Sequence, residues 1–297
     1  MPHTAVAVEN TNSTFSPSSE QMPQASPARP TVTLPAHIPP TGYLQFEQGF
    51  NQANDSPAGT NGQFALAQTT KIALTTRLMV QFITQPYTFN RVASPPAGDM
   101  RSSDPGDLQV GGQAILRKGV GPVPVVAVGY IRRARTGTSA DLDVGSYSQS
   151  ALVLLSGDVR GGFHYDSNLV FNEQNSGPVR RAQFVQTLAV SHPLFEESTE
   201  GKLGGVLELS HFTQPFVVAS VSGKPVSRAN TADLLFAAVY SIHPNLVLDA
   251  AFEHGLTSTS TQWQGSFGFT YVLPHRLWKD RHPVPIPVGP YRYRNSR

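Results

Sequence analysis

The 297-residue chain carries 22 basic and 20 acidic side chains, a net charge of +2, which offers no basic surface able to neutralise a nucleic-acid backbone. It has no cysteine, so disulfides, thiolate metal sites and cysteine nucleophiles are excluded. Hydrophobic residues make up 39% and mean hydropathy is −0.21. No apolar run approaches the roughly 20 residues that a membrane-spanning helix requires, whereas a transmembrane barrel remains compatible because only alternate residues of its strands face lipid.

Residues 1–40 are rich in Pro, Ser, Thr, Asn and Ala. They offer few apolar groups to offset ordering entropy, so the expectation is a disordered N-terminal segment. They contain neither a basic leader nor an apolar stretch of about 7–15 residues, so a signal peptide is missing as written; export would need one upstream.

Short alternating runs bounded by Gly, Pro, Asn and Asp follow at 43–50, 64–74, 78–85, 107–118, 123–133 and 147–155. Six more lie at 162–173, 182–191, 202–212, 231–241, 246–255 and 262–273. The connections take turns between short ones, at 75–77, 119–122, 156–158, 192–201 and 242–245, and longer polar ones, at 86–106, 134–146, 175–178 and 213–230, with 192–201 and 175–178 of middling length. Strands that run up and down through a membrane have tight periplasmic turns and larger external loops.

The side-chain pattern agrees. In the final run Trp263, Phe267, Phe269, Tyr271 and Leu273 alternate with Gln262, Gln264, Ser266, Gly268 and Thr270. In 246–253, Leu246, Leu248, Ala250 and Phe252 oppose Asp249 and Glu253; in 203–212, Leu203, Leu207 and Leu209 oppose Glu208 and Ser210. A carboxylate-bearing face suits a hydrated lumen, because burial in a dry core is costly. The solvent side of a soluble sheet would alternate in the same way.

The expected fold is thus all-β, a closed antiparallel up-and-down transmembrane β-barrel of about 12 strands over residues 41–273, followed by a proline-rich tail at 274–297. Candidate lumen-lining residues are Glu47, Gln109, Gln113, Arg117, His164, Asp166, Glu208, Asp249, Glu253 and Gln264.

No catalytic, metal or cofactor site is expected. His164 and Ser167 are an odd number of residues apart and so point to opposite faces of a strand, which forbids a base–nucleophile pair. The remaining histidines lack ligand spacing, and Gly111-Gly112 and Gly204-Gly205 lie within strands, where curvature or close packing explains them. Arg132-Arg133-Arg135 and Arg180-Arg181 flank loops, where they suit lipopolysaccharide phosphates, anionic solutes or a solvated rim.

Several segments resemble an outer-membrane transporter family named for the meta-cleavage pathway of phenol degradation. They are Leu74-Thr75-Thr76-Arg77-Leu78, Gly106-Asp107-Leu108, Arg135-Thr136-Gly137, Tyr240-Ser241-Ile242-His243-Pro244-Asn245-Leu246-Val247-Leu248-Asp249 and Gly265-Ser266-Phe267-Gly268-Phe269-Thr270-Tyr271. The resemblance implies a bacterial outer-membrane transporter or channel for small hydrophobic or aromatic compounds. It further implies partners in outer-membrane lipid, lipopolysaccharide, the barrel-assembly machinery and a small-molecule solute. The chain departs from the family at its end, where residues 274–297 continue past the usual terminal aromatic. A non-transporting envelope barrel, or a soluble β-sandwich with a structural, adhesion or ligand-binding role, is the alternative.

Overall fold

The computed structural model describes residues 23–56, 60–94, 98–119, 123–134, 136, 149–176, 179–194, 203–213, 218–219, 225–226 and 230–278. Among these there is no helix. The strands are β1 (Leu44–Ser56), β2 (Thr60–Ala73), β3 (Leu78–Ser94), β4 (Gly98–Asp104), β5 (Leu108–Arg117), β6 (Val125–Ala134), β7 (Gln149–Val159) and β8 (Phe163–Ser176). There follow β9 (Val179–Pro193), β10 (Leu203–Phe212), β11 (Val218–Ala219), β12 (Pro225–Val226), β13 (Thr231–His243), β14 (Leu246–Gly255) and β15 (Trp263–Val272).

Twelve of them form one antiparallel barrel. The ladder runs β2-β1-β15-β14-β13-β10-β9-β8-β7-β6-β5-β3, and β2 also pairs with β3, so the sheet closes on itself. Closure satisfies every ladder edge, which a sheet standing in hydrocarbon requires. The two remaining pairs lie outside the ring: β4 extends β3 as a hairpin, and β11 pairs with β12.

Period-two alternation sets the two faces. On β14, Leu248 and Phe252 are exposed while Val247 and Asp249 are buried; on β10, Leu207 and Leu209 are exposed while Glu208 and Ser210 are buried. Large apolar side chains that point away from the barrel recur around its circumference, among them Val153, Leu169, Phe184, Leu188, Phe236 and Phe267. Aromatic residues meet there across strands, as Phe50 stacks on Phe267 at 4.6 Å and Phe171 tilts against Phe184 at 5.3 Å. An apolar exterior around an interior that holds carboxylates, amides and hydroxyls is the reverse of a soluble protein and is the pattern of a lipid-facing barrel.

Two corrections concern bulges. The 86–106 stretch was expected to be a loop, yet β3 continues to Ser94 and β4 returns along it. Pro86 reads as a strand stop because it cannot donate to a ladder, but here it falls where the β2–β3 register slips between Leu66 and Gln68, a position that tolerates a missing N–H. Arg117 was expected in the lumen by counting odd positions from Gln109. The register slips between Ile115 and Arg117, so Arg117 pairs with Val126 and is exposed at the strand end. One extra residue reverses the parity of everything beyond it.

The connections at one end of the barrel span 74–77, 118–124, 160–162, 194–202 and 244–245. At the opposite end the strands themselves project, with β1 and β2 paired out to Ser56 and Thr60 and β8 and β9 out to Ser176 and Val179. The asymmetry between the ends therefore resides partly in strand length, not in loop length alone.

Candidate functional site: a strapped lumen

The expectation of a disordered segment to residue 40 is corrected for residues 23–40. They form a strap inside the barrel; residues 1–22 lie outside the described residues. The strap enters beside the β13–β14 turn, where Ala25 N donates to Pro244 O at 2.8 Å. It crosses the lumen in the half near the short turns and leaves beside β2, where Thr41 bridges Ala73.

A proline-rich chain cannot satisfy its own amides, and here the wall does so. Ser26 N donates to Gln45 Oε1 at 2.9 Å and Ala28 N to Glu47 Oε1 at 3.4 Å. Val32 N and Thr33 N both donate to the Glu208 carboxylate at 3.0 Å. Leu34 N donates to Asn168 Oδ1 at 2.6 Å, and Asn168 Nδ2 returns a bond to Leu34 O at 2.8 Å. Ala36 N donates to Ser156 Oγ at 2.7 Å, and Gln113 Nε2 donates to Ala36 O at 2.9 Å. The inward polar side chains thus act as a row of partners for an extended backbone.

Apolar contacts complete the seat. Ala36 and Ile38 of the strap pack with Ala73, Met79, Ile115, Val125, Ala127, Leu152 and Leu154 of the wall. Ala25 packs with Tyr43, Val239, Val247 and Val272. Removing this surface from water stabilises the docked strap at roughly 25 cal/mol per Å² of apolar area. Charges are paired as well: Lys71 Nζ lies 2.5 Å from Glu47 Oε1, and Arg29 Nε lies 3.6 Å from Asp249 Oδ1.

The end of the barrel clasps the strap's exit. Leu277 N donates to Gly42 O at 2.8 Å, and the Arg276 guanidinium sits 5.0 Å from the centroid of the Tyr43 ring. Gly42 has φ +82, and a Cβ there would come within 2.6 Å of Trp278 O, so both conformation and space require glycine. Residues 279–297, the rest of the expected tail, lie outside the described residues.

Of the residues expected at the lumen, Glu47, Gln113, His164, Glu208 and Asp249 are buried on the inner face. Gln109, Asp166, Glu253 and Gln264 are partly exposed on that face. Glu47, Gln113, Glu208 and Asp249 meet the strap directly. His164 and Asp166 form a cluster that adjoins the strap: His164 Nδ1 lies 2.8 Å from Asp158 Oδ1 and Nε2 3.4 Å from Asp166 Oδ1, Ser156 Oγ donates to Asp166 and accepts from Ala36 N, and the His37 ring of the strap lies 6.1 Å from that of His164. Ser167 bonds Thr187 O instead, away from His164. Gln109, Glu253 and Gln264 stand in the half beyond the strap, where Glu253 and Gln264 are cross-strand neighbours. Arg180 and Arg181 have side chains outside the described residues, and Arg133 pairs with Asp107 at 3.9 Å.

Sequence reasoning missed Gln45, Lys71 and Ser156 on the wall, and the strap altogether. Alternation would have found Gln45 and Lys71, since both share parity with Glu47 and Ala73. Nothing local marks the strap, because its wall partners begin at Gln45, 19 residues on from Ser26, and extend to Asp249 on β14.

The chain from 27 to 273 matches the model of the family described as "Putative MetA-pathway of phenol degradation". No curated protein sequence matches. An outer membrane channel from Pseudomonas putida F1 is similar in structure, with 14% identity over 80% of this chain and 98% of that chain and a TM-score of 0.58. A NanC porin gives 9% identity over 77% of this chain and 100% of that chain at a TM-score of 0.49, and the β-domain of the Bordetella autotransporter BrkA gives 10%, 79%, 100% and 0.49. With twelve strands closed around a strapped lumen, an apolar outer belt and a family match over residues 27–273, the chain belongs to the phenol-degradation family of that description and has the fold of an outer-membrane β-barrel.

Proposed function

We propose that the protein is a solute channel of the outer membrane, passing small hydrophobic or aromatic compounds and acting without catalysis. The observation that carries this reading is how the lumen is filled. A sealed barrel fills its interior with its own wall side chains; here the interior is wide enough for a separate segment held by hydrogen bonds, apolar contacts and the Arg29–Asp249 ion pair. Beneath the strap lies an apolar wall of Met79, Ile115, Val125, Leu152 and Leu154, a surface suited to an apolar solute. Beyond it the wall is polar, with Thr88, Gln109, Asn172, Gln183 and Glu253.

In this reading the short turns face the periplasm and the projecting hairpins face outward, where arginines of the rim meet lipopolysaccharide. The barrel-assembly machinery is the expected folding partner. The test is conductance in planar bilayers together with uptake of a small aromatic into liposomes, comparing the full chain with a variant that lacks residues 23–40. Stepwise conductance that grows on removal of the strap is expected. A correctly folded, strap-free barrel that conducts nothing would favour a scaffold without transport.

A further inference from the structure

The strap is anchored at mid-lumen by one charged side chain, Arg29, and the wall beneath it has a particular shape. Gly49 on β1, Gly268 on β15 and Asp249 on β14 occupy one cross-strand row: Gly49 pairs with Gly268, and Gly268 pairs with Asp249. Two neighbouring inward positions without side chains leave a notch in the wall, and the third supplies a carboxylate at its end. The Arg29 guanidinium lies in that notch. A Cβ on Gly49 would overlap the guanidinium carbon and both of its terminal nitrogens, and one on Gly268 would lie 2.9 Å from Nε. The three atoms nearest to a Cβ on Gly49 all belong to Arg29, whereas a Cβ on Gly268 would also meet Gln48 O of the wall at 2.3 Å.

The fit is that of a planar cation in a slot. A guanidinium suits a flat recess closed by a carboxylate, since its donors lie in one plane. Yet the contact is imperfect: Arg29 Nε stands 3.6 Å from Asp249 Oδ1, beyond hydrogen-bond distance, and among the described residues no group donates to either Asp249 oxygen. The Asp249 side chain is 0% exposed. A buried pair without hydrogen bonds recovers little of its desolvation cost, so a mobile ligand able to approach more closely competes well.

We propose that Gly49, Gly268 and Asp249 form a binding seat for guanidinium-type organic cations, that Arg29 occupies it as an intramolecular ligand, and that a free cation of this class releases the strap. Binding then shifts the strap equilibrium because the cation engages the seat only when Arg29 has left it. The strap is both plug and competitor. This rests on the channel reading only for its conductance readout; displacement of the strap is measurable in a barrel that conducts nothing.

The experiment follows a single thiol at Ala28→Cys, which is buried beside Arg29 in a chain without other cysteines. Its labelling rate is measured in the detergent-folded full chain, in guanidinium chloride against sodium chloride at equal, non-denaturing concentration. Guanidinium should accelerate labelling on the order of tenfold, a shift of about 1.4 kcal/mol. Adding Gly49→Ala, which expels the side chain while leaving its charge, should accelerate labelling in sodium chloride alone, and Arg29→Met should do the same. Asp249→Asn should abolish the difference between the two salts. Equal rates in both salts for the parent, or rates in the Gly49→Ala and Arg29→Met backgrounds that match it, would overturn the proposal. Bilayer recordings of the same proteins separate the two readings: faster labelling without new conductance leaves the seat standing and removes the channel.

Discussion

Leu248 and Asp249 are adjacent in sequence and stand on opposite sides of one wall, the first exposed and the second buried. Leu248→Arg places a charge on the lipid face and should destabilise the barrel by about 2–4 kcal/mol if the site lies near the bilayer midplane, read from equilibrium unfolding in lipid vesicles. Glu253, beyond the strap, has a different role. Glu253→Gln should leave unfolding nearly unchanged and shift the reversal potential of the strap-free channel toward anions, since carboxylates lining a pore favour cations; an unchanged reversal potential would take Glu253 off the conduction path. The opposite faces of Leu248 and Asp249 follow from alternation alone. What each inward carboxylate does was not: Asp249 and Glu208 look like solvated lumen groups in sequence, and both are occupied by the strap.

At the scale of elements, all twelve barrel strands were visible as alternating runs, while their far ends were not. Pro86 concealed the continuation of β3, and Leu116 concealed the parity change at Arg117, because a bulge leaves no trace in composition and reveals itself only through the partner strand. Which end of the barrel faces the cell exterior follows from the projecting hairpins and is checked by single cysteines. On intact cells an impermeant thiol reagent should label Met100→Cys on β4 and spare Arg77→Cys in the β2–β3 turn, both exposed side chains. Labelling of residue 77 with sparing of residue 100 would reverse the orientation.

For the whole molecule, a closed ladder predicts that the detergent-folded protein migrates differently on gels before and after boiling; identical migration, with solubility in detergent-free buffer, would contradict a lipid-facing belt. Closure was legible because an even set of strands with one apolar face has no other way to hide its edges in lipid. The strap was not legible, since its backbone amides find their acceptors on distant wall residues and its own composition argues for disorder. That dependence carries a consequence for the chronology of biogenesis. The strap is synthesised before any strand, yet Val32, Thr33, Leu34 and Ala36 find their acceptors on β7, β8 and β10, and its exit is fastened by Leu277, beyond the last strand. The first part of the described chain to be made is therefore the last to find its place. Pulsed hydrogen exchange during refolding should show the amides of those four residues acquiring protection only after those of the β1–β15 seam, so that a molecule interrupted partway through assembly would have a finished wall and an unfilled centre.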